Sequence, residues 1–174
     1  MASMKNTSKV WKEFNNNQLT HSAAHYLLAI LDLHRTQGYA RLSDIALKLN
    51  ISKGSLSTSM KALISKGIIV EDENKHLSLS PEGLELAEHI EKTFSVVELF
   101  FEEILGIDHE IAEVDACKIE HLLSDKTSGA MIKMHKAIKG NPKLAKDLSV
   151  EMAKYKNCGI QRCKDCKKDD ICGN

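Results

Sequence analysis

The spacing of helix starts and stops between Thr20 and Pro81 constrains this chain most tightly. Thr20 is placed to cap a helix in which Ala23, Leu27, Ile30 and Leu31 recur at helical spacing, and Gly38 stops it. Ser43 is placed to cap a second, short helix with Ile45, Ala46 and Leu49 turned inward, and Asn50-Ile51 makes a tight corner. Ser52 then caps a third helix running to Lys66, ended by Gly67, with Leu56, Met60, Leu63 and Ile64 as its apolar stripe. A β-branched run (Ile68, Ile69, Val70), a polar turn over 71–75, and Leu77 and Leu79 alternating with serines predict a β-hairpin. Ser80-Pro81 opens a new helix, Ser as cap and Pro at the first position. Two short helices about a corner, a hairpin and a further helix make a winged helix-turn-helix.

The outer face of the third helix carries Ser52, Lys53, Gly54, Ser55, Ser57, Thr58 and Lys61. Small, hydroxyl and cationic side chains let a helix approach a major groove closely and donate to phosphates. Charge distribution agrees. The chain is neutral overall, with 24 basic and 24 acidic residues, but Arg41 to Lys75 holds six Lys/Arg against four Asp/Glu. Glu82 to Asp125 holds two against thirteen, and Lys139 onward nine against five. Acidic surface repels phosphate, so double-stranded DNA is expected to meet the first block, while the middle block suits cations or a second subunit. Glu71, Asp72 and Glu73 in the wing are a mild conflict with that role.

The helix from Pro81 is long, with Ile90, Phe94, Val97, Phe101 and Ile104 as a stripe ending at Gly106. Helices follow over about 110–124, 128–139 and 142–156, with Gly140-Asn141-Pro142 as a break. The fold class is mainly α. Residues 1–19 read as a mobile arm with a short helix near Val10, Trp11 and Phe14. Then come a winged-helix DNA-binding domain over 20–80, a helical metal-binding and dimerisation domain over 81–140, and a final helix with a cysteine tail over 141–174. No run reaches the ~18 apolar residues of a membrane span, and no apolar segment of signal-peptide length opens the chain. A cytoplasmic protein without membrane contact is the expectation.

Glu113, Cys117, Glu120 and His121 fall at i, i+4, i+7 and i+8 and would project from one helical face. Thiolate, carboxylate and imidazole together suit a first-row transition ion better than Mg(II) or Ca(II). One helix supplies three ligands at most, and His21 and His25 share a face of the first long helix.

The stretch HYLLAILDLHRTQGYARLSDIALKLNISKGSLSTSMKALISKGIIV, then LSLSPEGLELA, EEILGID and DACKIEHLLSD, resembles the diphtheria-toxin-repressor/manganese-transport-regulator family of metal-activated repressors. The resemblance covers residues 20 to 138. It implies a homodimer that binds a palindromic operator when loaded with a divalent transition metal, Fe(II) first, with Mn(II) or Zn(II) as alternatives. The family's Cys/Glu, Glu, His motif lands on Cys117, Glu120 and His121. Its first-helix ligand, usually Met or Asp before a Tyr, is His25 before Tyr26 here, giving the metal set His25, Cys117, Glu120, His121. The extra imidazole shifts preference toward Zn or Co over Mn. The ancillary site of the iron branch corresponds to Phe94, Glu98 and Glu113; Phe binds no metal, so at most a weak second site at Glu98 and Glu113 is expected. The family's base-reading Gln is Thr58 here. The iron branch's C-terminal SH3-like domain is not expected, because the length leaves no room for it.

The tail places Cys158, Cys163, Cys166 and Cys172 in a C-x4-C-x2-C-x5-C pattern. Four cysteines so close, without a secretory signal, point to an iron–sulfur cluster or structural zinc rather than disulfides. The pattern resembles the small winged-helix protein of the bacterial ferrous-iron transport system. Two other functions use the same residues: an iron-transport accessory protein and a metalloenzyme. Against an enzyme, the chain has no Gly-rich phosphate loop, nucleophile elbow or HExxH, and no small organic substrate is expected.

Overall fold

In a computed structural model the described residues are 19–154, and they fall into two compact units, 19–132 and 133–154. Of the mobile arm expected over 1–19, residues 1–18 and the expected short helix lie outside the described residues, as do the four tail cysteines, whereas Leu19 is buried in the core rather than part of a free arm. The elements of the first unit run α1 (His21–Gln37), α2 (Leu42–Lys48), α3 (Lys53–Ser65), β1 (Ile69–Glu71), β2 (Leu77–Leu79), α4 (Pro81–Glu103) and α5 (His109–Ile119). Helix α6 (Asp125–Lys139) crosses the border between the units, and α7 (Pro142–Ala153) lies in the second.

Local chemistry sets these boundaries. Thr20 Oγ1 accepts from Ala23 N at 3.2 Å, Ser52 Oγ from Ser55 N at 3.2 Å and Ser80 Oγ from Gly83 N at 3.0 Å, each supplying a partner for a free helix N–H. Gly38 and Gly67 end their helices with φ of 84° and 73°, a region where a Cβ is strained. Helix α2 departs from expectation. It begins at Leu42, Arg41 holds the cap position without a side-chain bond, and Ser43 Oγ donates to Asp44 Oδ1 instead. Helix α5 ends at Ile119 rather than near Ser124, α6 begins three residues earlier than read, and α7 ends at Ala153.

The core of the first unit gathers Ala24, Leu27, Ile30, Ile45, Leu56, Met60, Ile69, Ala87 and Ile90 among its buried residues. The antiparallel hairpin pairs Ile69 with Leu79 and Glu71 with Leu77. Ties across elements fix its position: Leu77 N donates to Ala40 O at 2.8 Å, and His34 Nε2 meets Leu77 O at 2.8 Å. Arg35 donates from both terminal nitrogens to the Glu91 carboxylate, at 2.5 and 3.0 Å, joining α1 to α4. In the predicted α4 stripe Ile90, Val97 and Ile104 are buried, while Phe94 and Phe101 are half-buried. In the second unit Asn141 Oδ1 accepts from Leu144 N at 3.1 Å to cap α7.

The first turn of α4 lies directly on the hairpin. A Cβ on Gly83 would sit 2.1 Å from the backbone oxygen of Ile68, which itself accepts from Ser80 N at 3.0 Å. Backbone cannot yield there as a side-chain tip can. Gly83→Ala is therefore expected to destabilise the protein by about 1–3 kcal/mol or more. Gly54→Ala, where a Cβ meets nothing within 4 Å, should be neutral or stabilising by up to about 1 kcal/mol. Urea unfolding of the two variants checks the contrast.

Candidate metal centre and DNA-facing helix

Four donor atoms converge between α1 and the end of α5. One ligand atom each from His21, His25, Cys117 and Glu120 lies within 4.8 Å of all the others. His25 Nε2 is 3.2 Å from Cys117 Sγ, 92 residues away in sequence, and 3.2 Å from His21 Nε2. His21 and His25 stand one helical turn apart on α1, their rings edge to face with centroids at 4.4 Å. The periodicity that buries Ala24, Leu27 and Leu31 turns His25 toward α5. On that side α5 buries Ala112 and Ala116, small residues that allow close approach. Glu120 is the C-terminal cap residue of α5 and keeps helical φ and ψ with its N–H on Ala116 O, so it stays close to the face that carries Cys117 three residues earlier. The His121 ring centroid is 5.3 Å from that of His21, and His121 stands outside the four-atom group. Glu113 is exposed and joins neither cluster of potential ligands among the described residues.

Glu120 is 1% exposed, and its Oε1 has no hydrogen-bond partner among the described residues. A buried carboxylate with no donor carries an uncompensated desolvation cost. Burial pushes its carboxyl up to about 7. Desolvation also raises the Cys117 thiol, helped by Glu120 and Glu113. His25 and His121 are shifted the other way, by burial first and by neighbouring imidazoles second. All four shifts favour neutral groups, so the pocket lacks a positive charge. A divalent cation there would give Glu120 Oε1 a partner and stabilise thiolate, carboxylate and neutral imidazoles together, so the donor set fits a metal.

A second group joins Glu98 and Glu102 of α4 with His109 at the start of α5. His109 Nδ1 is hydrogen-bonded to Glu102 and lies 4.0 Å from Glu98 Oε1. The Glu102 bond, then the surrounding acidic charge, raises the His109 imidazole above its ordinary range. Its protonated form would offset part of the charge of the two carboxylates. Glu98 thus pairs with Glu102 and His109 rather than with Glu113.

The DNA-facing residues predicted from sequence share one side of α3. Lys53, Gly54, Ser55, Thr58 and Lys61 are exposed, as is the cap Ser52, and Ser57 is half-buried. The buried stripe of Leu56, Met60 and Leu63 occupies the opposite side. The acidic wing has a structural explanation. Asp72 Oδ1 accepts from Asn74 N and His76 N, both at 2.8 Å, and shapes the turn. Glu71 is paired with Lys75 at 3.4 Å. Among the described residues, no helix is long and apolar enough to cross a membrane.

A three-helix core with a β-wing, an exposed hydroxyl-and-lysine helix and a thiol–imidazole–carboxyl cluster define a winged-helix DNA-binding protein with a metal-binding half. Comparison with known proteins agrees. Residues 18–77 match the iron-dependent repressor N-terminal DNA-binding domain, and residues 80–148 match the iron-dependent repressor metal binding and dimerisation domain. The transcriptional regulator MntR of Salmonella typhimurium is 35% identical over 107 residues, 62% of this chain and 68% of that protein. MntR of Lysinibacillus sphaericus is 27% identical over 136 residues, 78% of this chain and 97% of that regulator. The crystal structure of T. acidophilum IdeR superposes with a TM-score of 0.55 at 27% identity; it covers 64% of this chain, which spans only 52% of IdeR. The chain belongs to the diphtheria-toxin-repressor/manganese-transport-regulator family of metal-dependent transcriptional regulators.

His21, which shares a helical face with His25 but is absent from the expected metal set, stands in the cluster in place of His121. Its signal was present: HSAAH places two imidazoles at i and i+4, the spacing of a helical metal chelate.

The raised Glu120 carboxyl predicts a pH dependence of the metal-free protein. Its pKa is higher folded (about 7) than unfolded, so the folded state binds more protons between the two values. Stability must fall as pH rises from about 4.5 to 7. Glu120→Gln removes that loss. The metal-free variant is expected to be more stable than wild type above pH 7, by on the order of 1–3 kcal/mol. The gap should close near pH 4, as urea unfolding across pH in the presence of a chelator would measure.

Proposed function

We propose that this protein is a metal-dependent repressor of metal-uptake genes, acting as a homodimer on a palindromic operator. On this reading it is a regulator rather than an enzyme and acts on DNA in the cytoplasm. The observation that carries the reading is the 3.2 Å approach of His25 on α1 to Cys117 on α5, beside the buried, partnerless Glu120 carboxyl. His25, Cys117, Glu120 and His121 would hold the ion, with Fe(II) favoured and Mn(II) or Zn(II) as alternatives. When bound, the ion supplies positive charge and a directional link among these donors.

The residues do the rest. His25 belongs to the helix that packs on α2, β2 and α4, so holding His25 against Cys117 and Glu120 would fix the tilt of the winged helix on the α4–α5 pair. In a dimer, that tilt sets the separation of the two α3 helices, which must match grooves about one helical turn of DNA, or a multiple, apart. Ligand binding shifts the population toward the operator-fitting arrangement by its differential affinity for it. Lys53 and Lys61 would meet phosphates, while Gly54, Ser55, Ser57 and Thr58 approach base edges. Exposed Leu99, Leu105, Ile107, Ile111 and Val114 on and between α4 and α5 suit the contact between subunits. Glu98 contributes at most a weak second cation site.

For the tail, Cys158, Cys163, Cys166 and Cys172 support an iron–sulfur cluster, with structural zinc as the alternative. Anaerobically purified protein should be brown and contain iron and sulfide; colourless protein containing zinc would decide for the alternative.

Binding to promoter DNA is expected with Fe(II), Mn(II) or Zn(II) present and to be lost with a chelator. Cys117→Ala and His25→Ala should lose the metal response while remaining folded. Promoter affinity indifferent to chelation would overturn the reading. Lys61→Ala should weaken binding across all sequences and lower the salt slope by about one.

A further inference from the structure

We propose that His21 is a ligand of the same metal centre, and that with His25 it forms a helical chelate that favours ions late in the Irving–Williams order over Mn(II). The inference rests on the metal reading above. It adds a donor that the family motif does not assign and names the class of ion the site selects.

The geometry carries it. His21 and His25 are four residues apart on α1, where i and i+4 side chains are neighbours. Both present Nε2 inward, 3.2 Å apart, and a ligand atom of His21 lies within 4.8 Å of those of Cys117 and Glu120. In the tautomer with Nδ1 protonated, each neutral ring keeps its Nε2 lone pair available to an ion. The His21 ring also lies beside His121, centroids 5.3 Å apart, next to the end of α5.

The chemistry follows from the donors. Two nitrogens from one rigid helix, already placed, bind as a chelate with little ordering cost. Nitrogen and thiolate donors gain affinity from Mn(II) through Fe(II) and Co(II) toward Zn(II) far more steeply than carboxylates do. Adding His21 therefore strengthens Co(II) and Zn(II) more than Mn(II). It also raises the number of protein donors and leaves fewer positions for water.

The test uses the full-length protein with Cys158, Cys163, Cys166 and Cys172 replaced by Ser, so that Cys117 is its only thiol, stripped with a chelator and titrated with CoCl2 or MnCl2. In the visible spectrum of bound Co(II), the sulfur charge-transfer band reports Cys117 and the d–d bands report donor number and geometry. His21→Gln and His21→Ala, at an exposed position, should stay folded by circular dichroism. Both are expected to keep the sulfur band, change the d–d bands and weaken Co(II) binding by about tenfold or more, with Mn(II) changed by less than about threefold. Unchanged d–d bands in both variants, whatever the affinity, would overturn the assignment, because an outer partner of His25 alters strength without altering the donor set. Equal weakening of Mn(II) and Co(II) would overturn the selectivity. Cys117→Ala separates the two levels. If it removes the sulfur band while His21 variants match the single-thiol parent, only the His21 inference fails. A sulfur band unaffected by Cys117→Ala, or absent from that parent, defeats the metal reading itself and this inference with it.

Discussion

A carboxylate buried without a counter-charge is the constraint on which the rest of this structure turns. Glu120 is among the largest fully buried side chains, and its Oε1 finds no donor. Around it stand an uncharged thiol and imidazoles whose basicity burial has lowered. Such an arrangement is costly in the metal-free chain and becomes favourable only with a cation. Stability sacrificed at one point in this way is a common mark of a site built for something the polypeptide does not itself contain.

The surrounding fold makes that point consequential. Helix α1 is tied to the wing by the contact of His34 with Leu77, and to α4 by the paired Arg35–Glu91 bonds. Gly83 lets the first turn of α4 rest on the backbone of Ile68 at a distance no other residue permits. Together these make α1 a stiff lever: what holds His25 also positions the hairpin and, through the shared core, the exposed face of α3. Coupling of ion to DNA then needs no long relay, because the same helix belongs to both the core of the reader and the wall of the centre.

Much of this was legible in the residues. Thr20, Ser52, Gly38, Gly67 and Ser80-Pro81 are local signals whose effect depends on backbone groups within a few positions, so they placed α1, α3 and α4 almost to the residue. Where the outcome depended on partners distant in sequence, the reading slipped. Helix α5 stops at Ile119 although the apolar spacing continues through Leu122 and Leu123, and Glu120 at its cap is buried beside His25 and Cys117. Glu113 shares a helical face with Cys117 yet remains exposed, and Glu98 found Glu102 and His109 instead.

By itself, then, the amino-acid order determined the kinds of element and the kinds of donor: capped helices, a wing, a Cys-Glu-His run and two histidines one turn apart. These follow from short-range hydrogen bonding, periodicity and ligand chemistry, which need no knowledge of the remainder of the chain. Only the tertiary structure decided that His21 faces inward with His25, that Glu120 is sealed from water and that Glu113 is not. Those outcomes depend on how α1 and α5, 92 residues apart at His25 and Cys117, are brought together by each packing on α4.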